Sequence, residues 1–279
     1  MRIARVTKGG QIGLAASING EIRVVWDSGL ADLDAKIFEG ALASAGKVAA
    51  GGEVVDEASL TFLPPVTRPS KIVCMGLNYR DHAEESGFDI PDFPVLFSRF
   101  PSSLIGHGAP IILPKISSQL DWEAELAVVL AKGGKNISEA NALDHVAGYS
   151  VFNDASLRDY QLRTPQWTAG KNFDDTGAFG PWLVTPDEVP AGASGLKIEC
   201  RLNGNVMQSS NTGNLIFTVA STIELLSTFM TLEAGDVLVM GTPGGVGVAR
   251  NPKVWMKDGD ICEVEIEGIG LLSNPVVAE

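Results

Sequence analysis

Hydrophobic and polar residues alternate with a period of two over residues 1–27, in the stretches MRIARV, QIGLAAS and EIRVVW. This period is typical of strands that bury one face, and the intervening KGGQ and NGE segments are typical of tight turns. The pattern therefore predicts three short strands joined by glycine-containing turns at the start of the chain.

A change of composition follows this strand-rich start. Residues 30–60 are rich in small side chains and are predicted to be helical, ending near Gly51 and Gly52. The segment 63–69 contains three prolines, which are incompatible with a helix or a central strand. We therefore predict a linker here, between a small N-terminal β-rich domain (1–66) and a larger body (67–279).

The larger body has the pattern of a mainly β, α+β fold. A helix is predicted over 214–230, because Val219, Ile223 and Leu226 recur with a helical period. A short helix is predicted around 78–86. Strands are predicted over 71–76, 95–98, 110–113, 122–131, 147–153, 182–185, 197–202, 236–240, 260–266 and 270–272.

Charge and composition limit the classes of partner. The chain has 279 residues, 45% of them hydrophobic, and a net charge of −13. Such a charge repels nucleic acids and anionic membranes, so neither is expected as a partner. No apolar run approaches the length of about 20 residues that spans a bilayer. The three cysteines are widely spaced, which favours a reduced, cytoplasmic protein and argues against a zinc site.

Four carboxylates are candidates for a metal site. Asp121, Glu123 and Glu125 alternate along the predicted strand 122–131 and its approach, so their side chains should share one face. Like charges this close favour a bound hard cation, although a solvated edge strand is the commoner explanation of an isolated E-x-E pattern. Asp154 follows another predicted strand and is a candidate third ligand, or a helix N-cap.

Three further segments could carry acid–base or anion-binding chemistry. His82 and Glu85 have i, i+3 spacing, which would make the imidazole a better base on a helix, although an exposed pair is equally compatible with the spacing. Lys171 in TAGKNFD could stabilise an oxyanion, although most lysines are solvated. Thr242 lies in MGTPGGVG, whose amides could hold a carboxylate or merely connect two strands.

Taken together, five segments resemble the fumarylacetoacetate hydrolase family. They occur in the family's order over roughly residues 70–270: GLNYRDHAEE, DWEAELAVV, AGYSVFNDASLRDYQ, TAGKNFD and GDVLVMGTPGGVG. The resemblance implies a catalytic domain with a mixed β-sandwich roll, preceded by a small β-rich domain, and a homodimer.

The resemblance also implies the roles of individual residues. It implies metal ligands Glu123, Glu125 and Asp154, catalytic residues His82, Glu85 and Lys171, and substrate-binding residues Arg158, Gln161 and Thr242. The implied cofactor is one Mg²⁺ or Mn²⁺ per site, with Ca²⁺ as a substitute. Arg99 stands where many relatives carry lysine, which predicts an altered anion pocket.

The expected reaction is metal-dependent hydrolysis of a C–C bond in an acylpyruvate or a related diketo acid. His82, oriented by Glu85, would activate water, and the ion with Lys171 would stabilise the leaving enolate. Two alternatives use the same scaffold: an oxaloacetate-type decarboxylase and a 2-oxo-enoate hydratase or isomerase. A non-catalytic metal-binding relative is a further alternative. In each enzymatic case the partner is a small anionic 2-oxo acid.

Overall fold

The computed structural model describes residues 1–80 and 92–279. His82, Glu85 and most of the helix predicted around 78–86 lie outside these residues. Within the part of the chain that is described, no helix is both long and apolar enough to cross a membrane.

Short strands predominate among the described elements. In chain order the strands are β1 (Arg2–Lys8), β2 (Gln11–Ile18), β3 (Glu21–Val25), β4 (Glu53–Val54), β5 (Thr61–Leu63), β6 (Ile72–Gly76), β7 (Val95–Arg99), β8 (Leu104–Ile105), β9 (Ile111–Leu113), β10 (Leu120–Asp121), β11 (Ala124–Leu130), β12 (Val146–Asp154), β13 (Ser156–Leu157), β14 (Gly177–Val184), β15 (Lys197–Leu202), β16 (Asn205–Asn211), β17 (Val237–Val239), β18 (Ile261–Ile266) and β19 (Gly270–Ala278). The helices are α1 (Leu33–Phe38), α2 (Leu42–Ala50), α3 (Glu139–Ala142), α4 (Arg158–Gln161), α5 (Thr168–Lys171) and α6 (Val219–Phe229).

Two sheets dominate the architecture. The larger has the strand order β4-β3-β2-β1-β14-β12-β11-β17-β6-β7, with β5 paired to β1 and β8 paired to β14. The smaller has the order β16-β15-β18-β19-β9, and β10 pairs with β13 separately. The predicted fold class, α+β and mainly β, is confirmed.

The N-terminal hairpins form as the alternation predicts. β1, β2 and β3 pair in antiparallel order. The turn between β2 and β3 consists of Asn19 and Gly20, with φ of 51° and 83°. Both values lie in the left-handed region that a two-residue turn with the right twist requires, and Asn and Gly adopt it at low cost.

The N-terminal strands continue the sheet of the main body. β1 pairs with β14 through Arg2 opposite Val184. Ile3 of β1 belongs to the same buried cluster as Phe152 and Phe179 of the main body. The sheet and its core are therefore continuous across the predicted linker, and the domain division at residue 66 stays a prediction.

The strand predicted over 122–131 begins two residues late, because residues 122–123 belong to neither β10 nor β11. The Glu123 N–H donates to Asn153 Oδ1 at 3.1 Å. The Ala124 N–H donates to Gln208 Oε1 at 2.9 Å. Because side chains replace the regular ladder here, β10 ends at Asp121 and β11 begins only at Ala124.

The helix predicted over 214–230 begins later than expected. Thr218 Oγ1 accepts the Ser221 N–H at 3.2 Å, so Thr218 caps the first turn. Val219, Ile223 and Leu226 are buried along one face, as the helical period requires.

Candidate active site

Three carboxylates from neighbouring strands converge at one end of the large sheet. Glu123 immediately precedes β11, Glu125 lies within it, and Asp154 ends the adjacent β12. β11 and β12 are antiparallel, and Ala124 lies opposite Asn153, which places Asp154 beside the two glutamates. One oxygen from each carboxylate lies within 4.8 Å of the others. All three residues are buried.

Lys171 lies against this group. Its Nζ donates to Glu123 Oε2 at 2.6 Å and to Asp154 Oδ2 at 2.7 Å. The lysine ends helix α5, which packs closely on α4. A Cβ on Gly170 would lie 2.4 Å from the backbone nitrogen of Gln161, so only glycine allows this approach. The structure therefore brings Lys171 to the carboxylates, where the family resemblance implied a catalytic lysine.

The electrostatics differ among the three carboxylates. Burial alone would raise the pKa of Glu123, but Lys171 and Arg158 together lower it to about 2. Burial raises the pKa of Glu125 well above its usual value, and the charges of Asp154 and Glu123 raise it further. Asp154 also has a raised pKa because of burial, which Lys171 offsets only in part.

The charge distribution is suited to a divalent cation. Glu123 and Asp154 each form ion pairs with two basic side chains. Among the described residues no lysine or arginine pairs with Glu125, and Asp154 Oδ1 has no hydrogen-bond partner. Three converging carboxylate oxygens fit Mg²⁺ or Mn²⁺, which prefer oxygen ligands. Glu123, Glu125 and Asp154 could therefore hold such an ion.

Arg158 and Gln161 lie on α4, one helical turn apart. Arg158 Nη1 contacts Glu123 Oε1 at 2.6 Å and donates to Gln161 Oε1 at 2.7 Å. Its Nη2 is buried and has no hydrogen-bond partner in the described structure. Both residues line the cavity beside the carboxylates, where such a free donor can bind an anion.

Thr242 also lines this cavity and follows β17 in the chain. Its Oγ1 accepts Gln208 Nε2 at 2.8 Å. The adjacent Gly241 N–H donates to Glu125 Oε2 at 2.5 Å. Gln208 belongs to β16, a strand that the sequence pattern did not predict, and no motif drew attention to this glutamine.

The cavity measures about 210 Å³ and combines charged and apolar walls. The polar residues that line it are Glu123, Glu125, Arg158, Gln161, Lys171 and Thr242. Its apolar wall consists of Met75, Leu77, Phe97, Leu162, Trp167, Val246, Val248 and Ala249. A small anion with an apolar stem is the class of ligand that fits this composition.

Arg99 does not line the cavity, contrary to the expectation of an altered anion pocket. It is fully buried behind Asp154, and its Nη1 lies 3.2 Å from Asp154 Oδ1. Its Nε donates to the backbone oxygen of Lys171 at 2.6 Å. Arg99 therefore supports two site residues from behind, a role that sequence spacing could not reveal.

Asp121 is separate from the group of three carboxylates. Alternation along the strand predicted that Asp121 shares a face with Glu123 and Glu125. In the structure Asp121 Oδ2 instead pairs with Arg158 Nε, at 2.8 Å. The interruption of the strand at residues 122–123 separates its position from theirs. His82 and Glu85 lie outside the described residues, so their place beside the site remains a prediction.

A comparison with protein families agrees with this geometry. The profile of the fumarylacetoacetate (FAA) hydrolase C-terminal domain matches residues 71–277. The chain belongs to the fumarylacetoacetate hydrolase family. The resemblance found in the five sequence segments is thereby confirmed, and the buried carboxylates are consistent with a divalent-metal site in this family member.

Vertebrate relatives are nearly half identical to this family member over the aligned residues. The human oxaloacetate tautomerase FAHD2A, mitochondrial, is 47% identical over 226 residues, which cover 80% of this chain and 72% of the human protein. The rat oxaloacetate tautomerase Fahd2a, mitochondrial, is 46% identical over 225 residues, with the same coverage.

Solved structures of family members match the whole chain. A fumarylacetoacetate hydrolase from Exiguobacterium antarcticum has a TM-score of 0.87 at 33% identity, covering 100% of both chains. A putative HpcE protein from Mycobacterium smegmatis has a TM-score of 0.85 at 35% identity, covering 100% of this chain and 99% of the other. The fold is therefore that of the family.

Proposed function

We propose that this protein is a divalent-metal-dependent oxaloacetate tautomerase, which interconverts the keto and enol forms of oxaloacetate. The identity of 46–47% to proteins with this name is the observation that carries the proposal. Tautomerisation moves a proton between C3 and the oxygen on C2, and it consumes neither water nor another reactant. This reaction is closer to the oxaloacetate alternative from the sequence than to C–C hydrolysis.

The basic side chains of the cavity support an oxo-dicarboxylate as substrate. The protein carries a net charge of −13, so a dianion needs local cations to bind. Arg158 Nη2 offers donors that no described protein group accepts. We assign it to a substrate carboxylate, because a guanidinium binds carboxylates with strong, directed hydrogen bonds.

Lys171 is proposed to stabilise negative charge on the C2 oxygen. Burial would lower its pKa, but Asp154 and Glu123 raise it, so the ammonium keeps its proton at neutral pH. A charged donor in a buried site stabilises a developing oxyanion strongly. When bound by the three carboxylates, a divalent ion would supply Lewis-acid polarisation of the 2-oxo acid.

His82 and Glu85 are proposed to move the proton at C3. An imidazole beside a carboxylate has the basicity for this step near neutral pH. The homodimer and the cytoplasmic location likewise remain proposals, carried by the resemblance and by the composition. Hydrolysis of a diketo acid is the second candidate, because the Exiguobacterium antarcticum fumarylacetoacetate hydrolase shares the fold at a TM-score of 0.87.

The test follows enol-oxaloacetate by its ultraviolet absorbance, with purified protein and Mg²⁺ or Mn²⁺. We expect the decay of the enol to be accelerated at least tenfold over the same metal without protein, and NMR to show keto-oxaloacetate as the product. Chelated protein is the control and should give the uncatalysed rate. Release of pyruvate instead would identify a decarboxylase, and cleavage of an acylpyruvate without enol turnover would identify a hydrolase; either result overturns the proposal.

A further inference from the structure

Asp121 is a buried carboxylate that the proposed reaction leaves without a role. It is completely shielded from solvent, and both of its oxygens are occupied. Oδ1 accepts the N–H groups of Trp122 at 2.9 Å and Gly247 at 2.7 Å. Oδ2 accepts the Val248 N–H at 2.9 Å and Arg158 Nε at 2.8 Å. One side chain therefore connects three separate segments of the chain.

The contact with Arg158 determines how that guanidinium points. Asp121 accepts from Nε, while Glu123 and Gln161 contact Nη1. These contacts lie on different sides of the planar group and leave Nη2 without a hydrogen-bond partner in the described structure. A guanidinium held at both Nε and Nη1 cannot rotate without losing charged hydrogen bonds.

The contacts with Gly247 and Val248 hold a wall of the same cavity. Val246 and Val248 line it. The turn packs so closely that a Cβ on Gly247 would lie 2.0 Å from the Val254 oxygen and 2.7 Å from Asp121 Oδ1. The Asp121 carboxylate thus fixes the wall and the arginine relative to each other.

We propose that Asp121 is a positioning residue for substrate binding, which holds Arg158 and the turn at 246–248 in fixed positions relative to each other. The proposal rests on the proposed function, since it assumes that Arg158 binds a substrate carboxylate. Asp121 itself touches neither the substrate nor the metal ligand atoms in this assignment. Its effect should therefore appear in substrate affinity and leave metal affinity intact.

The test variant is Asp121→Asn, which keeps the size of the side chain. In this variant an NH2 group replaces one of the two carboxylate oxygens. It then faces either Arg158 Nε and the Val248 N–H, or the N–H groups of Trp122 and Gly247. In either orientation donors oppose donors, and Arg158 loses the negative charge that strengthens its contact with Asp121. We expect KM for oxaloacetate to rise about tenfold or more, kcat to fall less, and Mn²⁺ affinity to stay within twofold. Asp144→Asn, the same charge change on an exposed residue, should match wild type.

A double-mutant cycle with Arg158→Lys separates positioning from general loss of structure. If Asp121 acts through Arg158, the double variant should bind substrate no more weakly than Arg158→Lys alone. If the rise in KM of the double variant equals the product of the rises in the two single variants, the proposal is overturned. An unchanged KM in Asp121→Asn would overturn it as well. Should Asp121→Asn fail to fold, Asp121→Glu keeps the charge, displaces the carboxylate and is measured in the same cycle.

A second measurement tests the positioning role without any catalytic turnover. Calorimetry gives the affinity of the Mn²⁺-loaded protein for oxalate, a small dianion. Wild type that binds oxalate but does not turn over oxaloacetate would refute the proposed function alone. Equal oxalate affinity in wild type and Asp121→Asn would refute the positioning role, whatever the reaction is.

Discussion

The basic residues around the carboxylates act from two sides. Lys171 and Arg158 line the cavity, whereas Arg99 lies behind Asp154 and does not reach it. Arg99 Nη2 donates to the Ala155 oxygen at 3.0 Å and to Thr176 Oγ1 at 2.8 Å. Its planar fork thus satisfies several acceptors at once, which a single ammonium group cannot do.

Replacement of Arg99 by lysine should therefore destabilise the protein, although the charge is kept. The carbonyls of Lys171 and Ala155 would lose a buried donor, and each unsatisfied group costs about 1–3 kcal/mol. We expect Arg99→Lys to lower the free energy of unfolding in urea by at least that much. Arg68→Lys is the matched control, because 79% of the Arg68 side chain is exposed. Equal stability of Arg99→Lys and wild type would show that the fork is not required.

Some of these residues could be found from the sequence and others could not. Glu123, Glu125 and Asp154 follow from alternation along one strand and the end of another, supported by the family resemblance. Arg99 and Asp121 could not be assigned, because their roles depend on contacts with residues far away in the chain. Alternation alone placed Asp121 with the metal ligands, since it takes no account of the break in the strand.

At the scale of elements, the site depends on two short helices that approach unusually closely. α4 carries Arg158 and Gln161, and α5 carries Lys171. Gly170 is the point of contact, where a Cβ would lie 2.4–2.5 Å from atoms of Gln161. These helices are only one turn long, so packing rather than helix propensity determines their positions.

Gly170→Ala should push α5 away from α4. The nearest atoms are mainly backbone and cannot yield as a flexible side chain can, so overpacking of about 1–3 kcal/mol is expected. Because Lys171 is the next residue, activity should fall together with the melting temperature. Gly51→Ala is the control, since a Cβ there makes only ordinary contact, at 3.4 Å from the Val48 oxygen. Similar melting temperatures for both variants would contradict the packing argument.

The elements themselves were predicted with uneven success. The hairpins of β1–β3 and the strand β15 have the predicted bounds within a residue or two, because their turns and alternation are local signals. β16 was missed: its sequence NVMQSSN has little apolar alternation, and pairing with β15 stabilises it instead. Gln208 of this strand donates to Thr242 Oγ1. Part of the site is therefore held by a strand that no local sequence pattern predicts.

At the scale of the whole molecule, the site lies where two neighbouring central strands of a large sheet end. β11 and β12 are buried along their entire length, and the N-terminal strands extend the same sheet beyond β14. A rigid central pair holds carboxylates at fixed separation, which a metal site requires. The order of strands in this sheet could not be predicted from local patterns, because it is determined by contacts between distant segments.

We infer that Glu123, Glu125 and Asp154 together bind one divalent metal ion in this buried position. Calorimetric titration of the metal-free protein with Mn²⁺ tests it most directly and depends on no substrate. We predict one ion per chain for wild type, and affinity lowered at least a hundredfold in Glu125→Gln and in Asp154→Asn, with Asp144→Asn as an unaffected control. Wild-type affinity in both ligand variants would contradict the claim.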